Sequence, residues 1–139
     1  MIARLKNENG MTLLEIIATA LIVGVAMVGL YLGIIYADKQ VQRNYHDRVA
    51  TLHASGEIDW QYYYRKNYKQ FDTFNSKTVN IDILARGRTL TGQMTMKITP
   101  QSENSNGTNV DYEMVEVTVK WLEPDETKTR HIVVREDFY

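Results

Sequence analysis

The sequence predicts an α+β fold: one long N-terminal helix whose first half is apolar enough to enter a membrane and whose second half packs on a small antiparallel β-sheet. Three observations predict it. Between Ile16 and Ala37 lie 22 consecutive residues without Asp, Glu, Lys or Arg. From Asp38 to about Asn67 the chain is polar and free of proline, with apolar or aromatic residues at Val41, Tyr45, Val49 and Leu52 and again at Tyr62 to Tyr64, mostly the three-or-four spacing of one helix face. After Asn75 the period drops to two, the signature of strands with one buried face.

The first element is the apolar block. At about 1.5 Å per residue, 22 helical residues cover roughly 33 Å, enough to cross a hydrocarbon core of about 30 Å. A secretory signal normally carries about 7–15 apolar residues closed by a small-x-small site; this run is longer, and no such site closes it before Asp38. A soluble core helix would show a polar face, and Thr19 alone interrupts this one. The block therefore reads as a membrane span. The rest of the 139 residues form a domain of about 100, within the range that buries a single core. A net charge of −1 argues against a binder held by phosphate neutralisation. The absence of cysteine excludes a disulfide scaffold, a thiolate zinc site and a cysteine nucleophile.

The flank before the block is short, polar and mildly basic: MIARLKNENG, with Arg4 and Lys6, ends in a glycine and is followed by MTLLE. Glu15 stands at the entrance of the apolar run, where an ionised carboxylate within the bilayer costs about 2.5 kcal/mol or more. Two readings answer that cost: Glu15 lies at headgroup level, or it has a cationic partner. Counting basic residues does not orient the span, because Lys39, Arg43 and Arg48 beside Asp38 and Asp47 balance the leader's Arg4 and Lys6.

Gly10-Met11-Thr12-Leu13-Leu14-Glu15 followed by an uninterrupted apolar helix resembles the class III signal of type IV pilins and the pseudopilins of type II secretion. The resemblance covers residues 10–37 and is architectural beyond them. It implies a leader at 1–10, cut between Gly10 and Met11 by a prepilin peptidase, N-methylation of Met11, and Glu15 held inside a filament beside the amine of a neighbouring subunit's Met11. Glycine before the cut lets the backbone approach the peptidase closely, and an amine beside Glu15 meets its desolvation demand while setting register. The resemblance also places the leader in the cytoplasm and the globular part outside it. Many major pilins begin the mature chain with Phe and carry a Pro near the end of the membrane segment. This chain has Met11 and no proline before Pro100, which points to a minor pilin or pseudopilin. Gly24, Gly29 and Gly33 are candidates for close helix packing, Gly29-x-x-x-Gly33 having small-xxx-small spacing; tolerated glycine in a membrane helix is the plain alternative.

Three parts follow: 1–10 as leader, 11–37 as transmembrane and assembly helix, and 38–139 as a pilin-like globular domain. The helix is expected from Thr12 to about Lys69, roughly 85 Å, its amphipathic part covering about 38–69 and Gly56 marking a candidate break. Strands are expected between about 78 and 138. Val79, Ile81 and Ile83 form the first alternating set; Leu90, Gly92, Met94, Met96 and Ile98 the second; Val115, Val117, Val119 and Trp121 the third; Ile132 to Val134 the fourth. Gly87 marks one turn, Pro124-Asp125-Glu126 another, and the Ser-, Asn- and Gly-rich stretch from Pro100 to Asn109 reads as a long loop. A meander of about four strands, covered on one face by the helix, buries these stripes.

No catalytic constellation emerges, and the expectation is a protein that is not an enzyme and uses no cofactor. His46, His53 and Glu57 share helical spacing, but no HExxH exists and His131 lies far off in a strand, so no metal site is assigned and a solvated face is the reading. The acids of 111–126 read as solubilising charges on an edge strand. Trp60, Tyr62, Tyr63, Tyr64 and Tyr68 point in several directions around a helix, so some must be exposed or meet a partner. Arg65, Lys66 and Lys69 stand beside them, but Asp59 and Asp72 dilute the patch, and nucleic acid is not among the expected partners. The functional expectation is a minor pilin or pseudopilin in the bacterial inner membrane, single-pass, then in a pilus or pseudopilus. Its partners would be other such subunits, the prepilin peptidase, the inner-membrane assembly platform and the lipid bilayer. A non-polymerising, single-pass anchored binding or sensor protein is the alternative.

Overall fold

The computed structural model describes residues 12–105 and 107–139. Helix α1 spans Leu13–Tyr68, and four strands follow: β1 Lys77–Ile83, β2 Thr89–Ser105, β3 Thr108–Leu122 and β4 Thr129–Phe138. They form one antiparallel sheet in the order β1-β2-β3-β4, so the chain is α+β with a long apolar helix at its start. It divides into two compact units, one ending at Val41 and one covering Gln42–Tyr139; the division falls four residues beyond Ala37.

In the first unit every residue from Thr12 to Lys39 is exposed. The helix is long and apolar enough here to cross a membrane. Thr12 caps its start, the backbone amide of Glu15 donating to Thr12 Oγ1 at 3.3 Å. The Thr19 hydroxyl returns to the helix by donating to the Glu15 carbonyl at 2.8 Å.

In the second unit the helix runs through Gly56 without a break. Its last turn closes by a bond from Lys69 N to Arg65 O at 2.9 Å, Lys69 taking the left-handed conformation that ends helices. The buried stripe is His46, Ala50, Ala54, Glu57, Ile58 and Gln61, not the expected Val41, Tyr45, Val49 and Leu52. Of those four, Val41, Tyr45 and Leu52 are exposed and Val49 is half-buried. The true stripe is rotated by one residue, about 100°. Ala50 and Ala54, each with only a methyl side chain, are fully buried and share one core cluster with Val115, Val117 and Val119 of β3, also fully buried. Leu90 and Met94 from β2, Ile81 from β1, Trp121 from β3 and Phe138 from β4 complete the core. Gly92 allows a close approach: a Cβ there would stand 3.2 Å from Lys120 O and from Val119 Cγ1 and 3.3 Å from Ile81 Cδ1, tighter than ordinary contact.

Two strand expectations are corrected. The stretch from Pro100 to Asn109 is not a long loop, because β2 and β3 stay paired to Ser105↔Thr108. Polar residues can occupy a ladder whose faces are both wet, and the turn is held by the Asn104 side chain, which donates to Asn109 Oδ1 at 2.8 Å and accepts from Gly107 N at 3.2 Å. Gly107 supplies φ 82°, the left-handed value a tight hairpin demands. In β1 the alternation fails at Ile83, which is exposed. A bulge between Asn80 and Asp82 inserts one unpaired residue, so Asp82 rather than Ile83 follows Ile81 onto the inner face. The turn at Gly87 has φ 71°, and Glu126 N donates to Glu123 O at 3.2 Å across Pro124-Asp125.

Candidate functional site

The best-defined polar cluster begins at that bulge. His46, 3% exposed, presents both ring nitrogens to carboxylates. Nδ1 lies 2.9 and 3.1 Å from the two oxygens of Glu123, and Nε2 lies 3.1 Å from Asp82 Oδ2. Carboxylates only accept, so both bonds are complete when a proton stands on each ring nitrogen or on one of the carboxyls. Glu123 is also 3% exposed and accepts from the Trp121 indole at 2.8 Å. Asp82 uses its second oxygen to accept from Ile83 N at 2.7 Å. Beside this cluster Arg130 holds Asp47, its Nη2 at 2.9 and 2.8 Å from the two carboxylate oxygens, and that hydrogen bond, ahead of the opposing cost of burial, raises the guanidinium above the ordinary arginine value.

His46, His53 and Glu57 therefore belong to one face but to no common site. His53 Nε2 donates to Asn80 O at 3.0 Å, and Glu57 accepts from Lys77 Nζ at 2.9 Å and from Gln61 Nε2 at 2.8 Å. Going up the helix from 46 to 57, the partners go down β1 from 82 to 77, so the three side chains fasten an edge strand to the helix. Among the described residues no group of His, Asp or Glu is arranged to hold a metal ion. Gln61, fully buried, bonds both Asp72 N and Asp72 O at 2.9 Å, taking the place of a strand partner for the segment after the helix. Of the acids of 111–126, Asp111, Glu113 and Glu116 lie on an inner strand, not an edge, and Glu123, Asp125 and Glu126 follow its end; Glu113 pairs with Arg65 at 2.6 Å and Glu116 with Arg135 at 2.6 Å. One signal for Glu123 was present in the sequence, since it continues the alternation of Val115, Val117, Val119 and Trp121 onto the inner face.

Among the residues singled out for assembly, Gly10 and Met11 lie outside the described residues. Glu15 is exposed in the first helical turn. Thr12-x-x-Glu15 also has the spacing of a capping box, a local use for the carboxylate that sequence reading missed. A Cβ at Gly24, Gly29 or Gly33 would meet open space, and no contact among the described residues uses these notches.

The aromatic group divides. The Tyr62 ring lies 4.3 Å from that of Phe138, and Tyr64, half-buried, lies 4.6 Å from Tyr68. Trp60 sits 5.5 Å from Tyr63 and donates its indole N–H to Asp72 at 2.9 Å. Trp60, Tyr62, Tyr63 and Tyr68 all keep much of their surface in water. Between the end of the helix and β4 runs a cleft of about 590 Å³ walled by Tyr62, Tyr63 and Phe138, with Arg65, Lys66 and Lys69 along it. Arg65 is stacked 4.8 Å over Phe71 as well as paired with Glu113.

No family model, no curated protein and no solved structure matches this chain.

Proposed function

We propose that this chain is a minor pilin or pseudopilin: a subunit anchored in the inner membrane by residues 11–37, released from its leader after Gly10, and built into a type IV pilus or a type II secretion pseudopilus through its N-terminal helix. One observation carries the reading. The sequence GMTLLE leads directly into a helix whose side chains from Thr12 to Lys39 are all exposed and, to Ala37, almost entirely apolar. Such a surface is stable only in lipid or against like helices, and the same helix can use both in turn.

Further features support a role in assembly rather than catalysis. The apolar positions Val41, Tyr45 and Leu52 remain exposed beyond the membrane block. Gly24, Gly29 and Gly33 leave notches that a neighbouring helix can enter. The titratable side chains of His46, His53 and Glu57 are engaged in fastening the sheet to the helix.

Shearing separates this reading from a non-polymerising anchor. In cells with an active prepilin peptidase, the mature chain is expected in the sheared or pelleted filament fraction together with the major subunit. Recovery in the inner membrane alone would favour the anchored binding or sensor protein.

A further inference from the structure

The charges at one end of the sheet are sorted by face. Side chains alternate along a strand, so Phe138 and Glu113 point to the helix side while Asp137 and Tyr112 point to the other. On the helix side lies the cleft, and along it Lys66 and Lys69 have no ion-pair partner among the described residues. On the opposite side lies Tyr112, whose ring is 5.4 Å from that of Tyr139, a residue at the sheet's end that also lines the cleft. Lost solvation first, and then the negative charge of Asp137 and Glu103, hold the Tyr112 hydroxyl above its ordinary 10.0. Glu103 and Asp137 are exposed and likewise without an ion-pair partner among the described residues. Among the described residues, one face thus offers two cations without an ion-pair partner beside Tyr62, Tyr63 and Tyr139, and the other offers two such carboxylates beside Tyr112.

We propose that copies of this chain join head to tail here, Lys66 and Lys69 of one copy receiving Glu103 and Asp137 of the next, with the tyrosines packed between. The charges are complementary between faces and repulsive within one, so a two-fold contact of like faces is disfavoured. Patches on opposite faces of the same sheet end form a heterologous contact, which builds an open filament unless its rotation closes a ring. Aromatic residues are the side chains that most often carry such contacts. The inference rests on the filament reading and names a contact within it.

Carbodiimide coupling tests the proposal. It joins a carboxylate to an amine with net loss of water and no spacer, so it reports ion pairs directly. Applied to membranes holding the full-length chain, it is expected to give a ladder of dimers, trimers and higher species, with amides mapping from Lys66 or Lys69 to Glu103 or Asp137. The variant K66E/K69E loses the ladder by about tenfold or more, as does E103K/D137K, since each places like charges together. The four-fold variant carrying both reversals restores it. All four positions are exposed, so none of these changes touches the core. No ladder from the natural chain, a ladder indifferent to either reversal, one that stops at dimers, or amides joining these lysines to a different protein would each overturn the contact. A chain found in the filament fraction whose ladder ignores the reversals loses this contact and keeps the filament. A reversible ladder from a chain absent from filaments does the opposite.

Discussion

Replacing His46 with leucine is expected to lower the stability of the Gln42–Tyr139 unit by about 3–5 kcal/mol, the cost of leaving a buried charge without its partner. The side chain joins three elements: the helix that carries it, β1 through Asp82, and the end of β3 through Glu123. Glu123 is the group that suffers. At 3% exposed it has no route to water, and without His46 it keeps only the Trp121 indole at 2.8 Å and a guanidinium nitrogen of Arg130 at 3.9 Å. Asp82 is more open and recovers solvent. Adding Glu123→Gln to His46→Leu removes the stranded charge while keeping an acceptor for the indole. The double variant is therefore expected to recover to within about 1–2 kcal/mol of the natural chain. Denaturant titration of the full chain in detergent, followed by the fluorescence of buried Trp121, reads both numbers. A loss below about 1 kcal/mol for the single variant would remove His46 from its clamping role. Arg130 adds no pH dependence to this measurement at ordinary pH. Its folded value is raised above the ordinary arginine value, so its contribution is complete throughout the range in which arginine is ordinarily charged and is lost only as pH rises beyond it.

The second large effect is at Glu15, and glutamine is the informative substitution. Two roles compete for this carboxylate: closing a capping box with Thr12, which glutamine also does, and pairing with a neighbouring subunit's terminal amine, which requires the charge. Under the proposed function, Glu15→Gln lowers incorporation into filaments by about tenfold or more, because a single unpaired charge in an apolar bundle costs several kcal/mol and 1.4 kcal/mol is tenfold. Glu15→Ala behaves alike, and leader removal proceeds in both. Quantifying the chain in the sheared filament fraction against the membrane fraction measures the effect. If Glu15→Gln incorporates as the natural chain does and Glu15→Ala does not, the carboxylate serves the helix cap and the intersubunit pairing is wrong.

The parts of the fold that were legible in the sequence are those written in hydrophobic contrast. The block from Ile16 to Ala37 is visible because nothing charged interrupts it, and the inner faces of β2 and β3 are visible because Leu90 to Ile98 and Val115 to Trp121 alternate with polar residues. The helix face was misread for the same reason. Its buried side is made of Ala50, Ala54 and polar groups with dedicated partners, while Val41, Tyr45 and Leu52, the residues that stand out by hydrophobicity, point to solvent. A small residue is buried by what packs around it, and the sheet residues that share its cluster, Ile81 to Phe138, lie far along the chain. The long β2–β3 hairpin was hidden by composition, since Gln, Ser, Asn and Thr pair across a ladder as well as they fill a loop. The His46 cluster could not be assembled from spacing, because its acids lie 36 and 77 residues away and a bulge in β1 delivers one of them. The segment that carries the functional reading is the opposite case: Gly10 to Glu15 acts through its own local sequence at the mouth of a helix, and sequence is where its chemistry is written.

The central claim is therefore tested most directly at that segment. The intact mass of the chain, recovered from cells with an active prepilin peptidase, is expected to lack residues 1–10 and to carry one additional methyl group on a new terminus at Met11. A chain that keeps residues 1–10 and carries no methyl group under those conditions would contradict the account.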